Sequence, residues 1–145
     1  MMQVCLAKPS KELKEIAIAE AKRHWQNVYL QNADLSDMDL KKVDLTGAYL
    51  KGANLEGANL EEAILVKANF QEANLQKANL IRTKCTNTNF HRADLENANF
   101  EGSDITGANF RDAHVKGANF QEVKGMSEAT KKTLVQGGAI VVASS

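Results

Sequence analysis

The segment AYLKGANLEGANLEEAILVKANF, residues 48–70, repeats itself every five residues, and nothing else in the chain restricts the fold as strongly. Stepping by five from Leu30 to Phe120 visits nineteen positions that hold eleven Leu, five Phe, Ile105, Val115 and Cys85, none of them charged. Two residues earlier in each unit stand thirteen Ala together with Val28, Met38, Val43, Thr83, Thr88 and Ser103, a register of mainly small side chains. A spacing of two sends side chains to one face of an extended segment, so each unit turns one small and one large residue inward. The residue between them points outward. It is Asn nine times and Asp five times, types that bond their own backbone in turns. Gly47, Gly52, Gly57, Gly102, Gly107 and Gly117 fill the fifth place, where a corner that needs positive φ is relieved of Cβ strain.

A helix at 3.6 residues per turn would carry such a repeat around its whole circumference, and a flat sheet would not bend every five residues. An apolar pair on a short extended piece, followed by a corner, builds a coil whose sides share one interior, which is an all-β solenoid. Tandem A-[D/N]-[L/F]-X-X over residues 28–122 resembles the pentapeptide repeat family. The resemblance implies a right-handed quadrilateral β-helix with four pentapeptides in each twenty-residue coil. Written twenty apart, the central residues form four stacks, beginning at Leu30, Leu35, Leu40 and Leu45. All five Phe then fall in the first and third stacks, as an even number of sides allows. Outward Asn59, Asn79, Asn99 and Asn119, and likewise Asn54 and Asn74, are placed to form side-chain ladders.

Unpaired solenoid ends need covers. Residues 1–27 are read as a leader and capping helix, with Leu13, Ala17, Ala21 and Trp25 giving an amphipathic helix over 11–26. Residues 123–145 form the other cap: Ser127 N-caps a helix over 128–136, Gly137 and Gly138 end it, and an apolar tail follows at 139–142. That tail packs on the last coil or pairs with another molecule, so monomer and homodimer are both open. The whole chain, 145 residues, is one domain.

Eighteen basic and eighteen acidic residues balance, which removes the electrostatic argument for nucleic acid or an acidic membrane. The apolar run Ala139 to Ala143 is too short for a membrane span, and the start lacks a secretory h-region, which favours the cytoplasm, with a mature exported chain as the alternative. Cys5 and Cys85 are too few for a disulfide framework or zinc site. Cys85 is expected to be a buried small hydrophobe, and Thr83 and Thr88 around it mark the point where the repeat should become irregular. His24, His91 and His114 stand in unrelated settings without ligand-spaced partners. No catalytic, cofactor or metal site is assigned, and no enzyme is expected.

What remains is the outer wall, where five apolar residues stand in place of polar ones. Tyr29 and Tyr49 share a side one coil apart, Ile64 and Val66 flank Leu65, and Ile81 lies on the adjacent side. Tyrosine is a good interface anchor, so these are the candidate protein-interaction residues. The expected function is a non-enzymatic structural or interaction scaffold. The resemblance implies an alternative, since some family members imitate duplex DNA and bind a type II topoisomerase such as gyrase. A wall with ten basic and fourteen acidic residues over 28–122 is only mildly acidic and argues against that imitation. Members of the family are abundant in cyanobacteria, an association without mechanism.

Overall fold

One pentapeptide makes one side and one corner. In the computed structural model, which describes residues 25–141, Leu30 closes a corner by accepting from the Ala33 amide at 3.1 Å, and the same bond recurs at nearly every unit. The second corner residue has positive φ at all twenty corners from Asn27 to Glu122, and the first never does, which is the type II arrangement. Only six of these twenty residues are Gly; the other fourteen include Glu62, Lys67, Glu72, Lys77 and Arg82, which enter the left-handed region at a cost.

Parallel bridges join each outward residue to its counterpart twenty residues on, from Tyr29 with Tyr49 to Asp104 with Lys124. Each rung carries two backbone bonds, as when Leu30 donates to Tyr49 at 2.8 Å and Tyr49 donates to Val28 at 2.9 Å. The corners stack as well, with Asn32 donating to Lys51 at 3.0 Å. The result is a right-handed quadrilateral β-helix. Sides one to four are taken here as those that begin with Leu30, Leu35, Leu40 and Leu45.

The central register and the small register together form one core, in which nearly every side chain is buried. Phe70, Phe90 and Phe110 stack on side one with centroids 5.4 and 5.1 Å apart, and Phe100 stacks on Phe120 at 4.7 Å from side three. The two columns meet edge to face across the interior, as Phe90 does with Phe100 at 5.6 Å. The C-terminal half of the prism is thus aromatic and the N-terminal half aliphatic.

The irregularity expected at Thr83 to Thr88 does not occur. Bridges run unbroken from Ile64 through Lys84 to Asp104. The buried hydroxyls find acceptors without moving the chain: Thr83 donates to the Leu80 carbonyl at 2.9 Å and Thr88 to the Leu65 carbonyl at 2.7 Å. Ser103, in the same register, finds no partner for its hydroxyl among the described residues.

At the N-terminal end, residues 11–24 of the expected helix lie outside the described residues. Trp25 and Gln26, its last two, are not helical. Trp25 is fully buried one unit before Leu30, and Gln26 and Asn27 make the first corner. At the other end the ladder continues to Lys124, two residues beyond the expected limit. Helix α1 spans Glu128–Gln136, with Ser127 accepting from the Thr130 amide at 3.1 Å as its N-cap. Gly138 takes φ +88°, and Gly138 and Ala139 donate to Val135 and Leu134, the paired bonds of a Schellman ending. Leu134 alone is buried and seats the helix on the core. The tail does pack on the last coil: Ile140 pairs with Asn119 as a further parallel rung on side three.

Candidate functional site

An account of the peptide N–H groups shows what the outer residues do. In a pentapeptide such as 95–99, four amides bond within the ladder and corner, and only the first corner residue lacks a backbone partner. The outward Asn or Asp supplies it: Asn99 Oδ1 accepts from the Glu101 amide at 3.0 Å, and Asp34 Oδ1 from Ser36 at 3.1 Å. All fourteen outward Asn and Asp make this bond. The wall's commonest polar side chains are therefore committed to architecture. Amide-to-amide ladder bonds are seen on a column not anticipated for them, from Asn109 to Asn89 and from Asn89 to Asn69, each at 3.4 Å.

Asp44 and Asp104 have lowered pKa values. The Thr106 hydroxyl at 2.6 Å and its amide at 3.0 Å keep the Asp104 pKa below the usual range, against partial burial. At Asp44 burial works in the opposite direction, yet the Thr46 hydroxyl and amide and Gln26 outweigh it and the pKa is lowered. Burial pushes the Cys85 thiol up to about 12, with Thr83 3.1 Å away, so the thiol is inert in the folded state. Among the described residues no group of His, Cys, Asp and Glu is disposed to hold a metal.

The five candidate residues do not share one column. Tyr29 and Tyr49 are brought together on side one, their rings 4.8 Å apart and 6° from parallel. They are 37% and 40% exposed, which leaves their edges to solvent. Ile64 is half-buried on side four, where it bridges Asp44 below and Lys84 above. Val66, also half-buried, stands at the edge between sides four and one, one coil above Thr46. Ile81 lies at the edge between sides three and four, beside Arg82, which pairs with Glu61 and Glu62. Sides one and four thus carry four of the five, and Ile81 stands apart within a charged column.

Lys84 was not among the candidates, although a signal for it exists. Tyr29, Tyr49, Ile64, Lys84 and His114 are the five outward positions from 29 to 119 that hold neither Asn nor Asp. At each the first corner amide, that of Gln31, Lys51, Val66, Thr86 or Lys116, makes no hydrogen bond among the described residues.

Comparison with known proteins agrees with this architecture. The family model for a pentapeptide repeat region matches residues 56–127, and that for pentapeptide repeats in eight copies matches residues 26–61. A pentapeptide repeat protein of the Arabidopsis thaliana thylakoid lumen has a similar fold, with a TM-score of 0.74 at 24% identity over 90% of this chain and 83% of that one. The pentapeptide repeat protein Rfr23 of the cyanobacterium Cyanothece 51142 is 37% identical over 68% of this chain and 56% of its own, with a TM-score of 0.34. HetL of Nostoc sp. strain PCC 7120, a pentapeptide repeat protein involved in regulating heterocyst differentiation, is 33% identical over 68% and 48%, with a TM-score of 0.36. The chain spans about half the length of these two cyanobacterial proteins. Among curated proteins none is a significant match.

Proposed function

Because the chain belongs to the pentapeptide repeat family, we propose that it is a non-enzymatic scaffold whose rigid four-sided wall presents a surface to a protein partner. The observation that carries this reading is the Tyr29–Tyr49 stack, two aromatic rings 4.8 Å apart and about two-fifths exposed on a wall otherwise given to corner bonds. Two stiff rings held by adjacent rungs offer contact area with little rotamer entropy left to lose on binding. The outward Asn and Asp of the repeat are spent on corner amides, and Cys85 lies in the core.

The test is capture from a lysate of the source organism by immobilised wild-type chain and by the folded Tyr29→Ala/Tyr49→Ala variant, with the retained proteins identified by mass spectrometry. A stoichiometric partner held by the wild type and lost by the variant supports the reading; equal retention by both removes the tyrosines from it. The DNA-mimic alternative requires gyrase subunits among the retained proteins. The wall weakens that alternative, since Lys41 and Arg82 pair with Glu61 and Glu62 at the edge between sides three and four and the wall as a whole is only mildly acidic.

A further inference from the structure

We propose, resting on the interaction-module reading above, that sides one and four with the edge between them form one docking face for an acidic peptide segment of another protein that carries an aliphatic or aromatic side chain. Two observations meet there. The first is where the wall abandons its own rule: of the five outward positions without Asn or Asp, four are the ladder pairs Tyr29–Tyr49 on side one and Ile64–Lys84 on side four. These are adjoining sides. Departures from a repeat that is otherwise consistent at every level concentrate where function, not folding, selects the residue. Each departure also frees a corner amide, and Val66 and Thr86 present theirs one rung apart at the edge between the two sides. The face therefore carries two aromatic and one aliphatic bridge residue beside a lysine, together with unused donors.

The second observation is charge. Sides four and one with the edge between them carry Lys67, Lys84 and Lys124 against Asp44 and Asp104. Sides two and three with their shared edge, diagonally opposite, carry two lysines, Lys77 and Lys116, against six carboxylates. An acidic segment is repelled from one edge and drawn to the other, where free amides and lysines donate to its carboxylates and carbonyls. A peptide fits better than a nucleic acid, because Asp44 and Asp104 flank Ile64 and Lys84 in the same column and would face a regular row of phosphates.

A random peptide library displayed on phage is selected against the whole chain. Recovered peptides are then titrated by fluorescence anisotropy against wild type, Ile64→Asn, Lys84→Asn and Lys77→Glu, each checked for a wild-type circular dichroism spectrum. Asn restores the corner bond, so a loss of binding in those two variants is not a loss of fold. The expected peptides are net acidic with at least one large apolar residue. They weaken about tenfold or more on Ile64→Asn and Lys84→Asn and change less than about twofold on Lys77→Glu. Peptides indifferent to Ile64→Asn and Lys84→Asn overturn the face and leave the interaction-module reading standing, whereas a selection without binders counts against both. A labelled DNA duplex or poly(U) bound more tightly than any peptide, and weakened by Lys84→Asn, overturns the proposed partner chemistry.

Discussion

Gly57 and Lys77 occupy the same corner column one coil apart, and their difference shows how a single residue is constrained here. Both have positive φ, +69° and +58°. A Cβ at Gly57 would clash with Asp37 Oδ1 in the coil below, because the Asp37 side chain folds over the bare glycine. Asn27, Asn32, Asn87 and Asn97 lie over Gly47, Gly52, Gly107 and Gly117 in the same way. Gly57→Ala is therefore expected to destabilise by about 1–3 kcal/mol through contact and left-handed strain. Lys77→Gly, which removes only the strain, is expected to stabilise by about 1 kcal/mol. Guanidinium unfolding of the two variants checks both signs, and a stabilising Gly57→Ala would refute the Asp37 contact. Titration gives a second residue-scale expectation. The folded pKa values of Asp44 and Asp104 are lowered, so their contribution is complete above the unfolded carboxylate range near about pH 4 and disappears as pH falls through the folded values. The thermal midpoint should fall on acidification below about pH 4, and the fall should be shallower in Asp44→Asn/Asp104→Asn, which keeps both corner acceptors. An equally steep fall in the double variant would assign acid lability to other groups.

At the scale of elements, the pentapeptide and helix α1 depend on different things. A side and its corner exist because neighbouring coils supply backbone partners; α1 is set by its own caps and by Leu134. Leu134→Ala removes its one buried contact and is expected to cost about 2–4 kcal/mol, with amide exchange rising first in residues 128–140. Uniform acceleration across all coils would instead mean that α1 is a structural keystone for the whole prism. Much of this level was legible in the sequence. The small and large registers, the four stacks and α1 with Ser127 and Gly138 follow from side-chain types at fixed spacing. The left-handed corners at Glu62, Lys67 and Arg82 were not legible, because those residues carry no preference for that conformation and the ladder imposes it. Trp25 was misread for a related reason: it satisfies both the i+4 helical pattern of Leu13, Ala17 and Ala21 and the five-residue register of Leu30, and the coil wins. Thr83 and Thr88 looked disruptive because their acceptors depend on the fold: the Leu80 carbonyl is reached across the corner, and the Leu65 carbonyl becomes a neighbour only once the coil closes. Of the candidate site, the tyrosine stack was visible from the spacing of twenty, while Lys84 became apparent only after the corner amides had been accounted for.

For the whole molecule, stability is carried between coils, since one coil buries too little to offset the ordering of twenty residues. Leu60 is fully buried in the second layer, and Leu60→Glu places an unpaired charge there. The expected result is loss of the cooperative thermal transition; an unchanged melting profile would contradict the register of the entire prism. The same one-dimensional design makes the wall a rigid support on which surface residues can be exchanged without reorganising the core. Outward Asn and Asp build the wall, whereas the departures from them are proposed to serve display. The most direct measurement is the unfolding free energy of Lys84→Asn, an exposed position where the exchange adds a corner acceptor and removes no core contact. The expected result is a gain of about 0.5–1.5 kcal/mol over wild type; a stability equal to or below wild type would mean that the lysine, and not asparagine, is the architectural residue at that position.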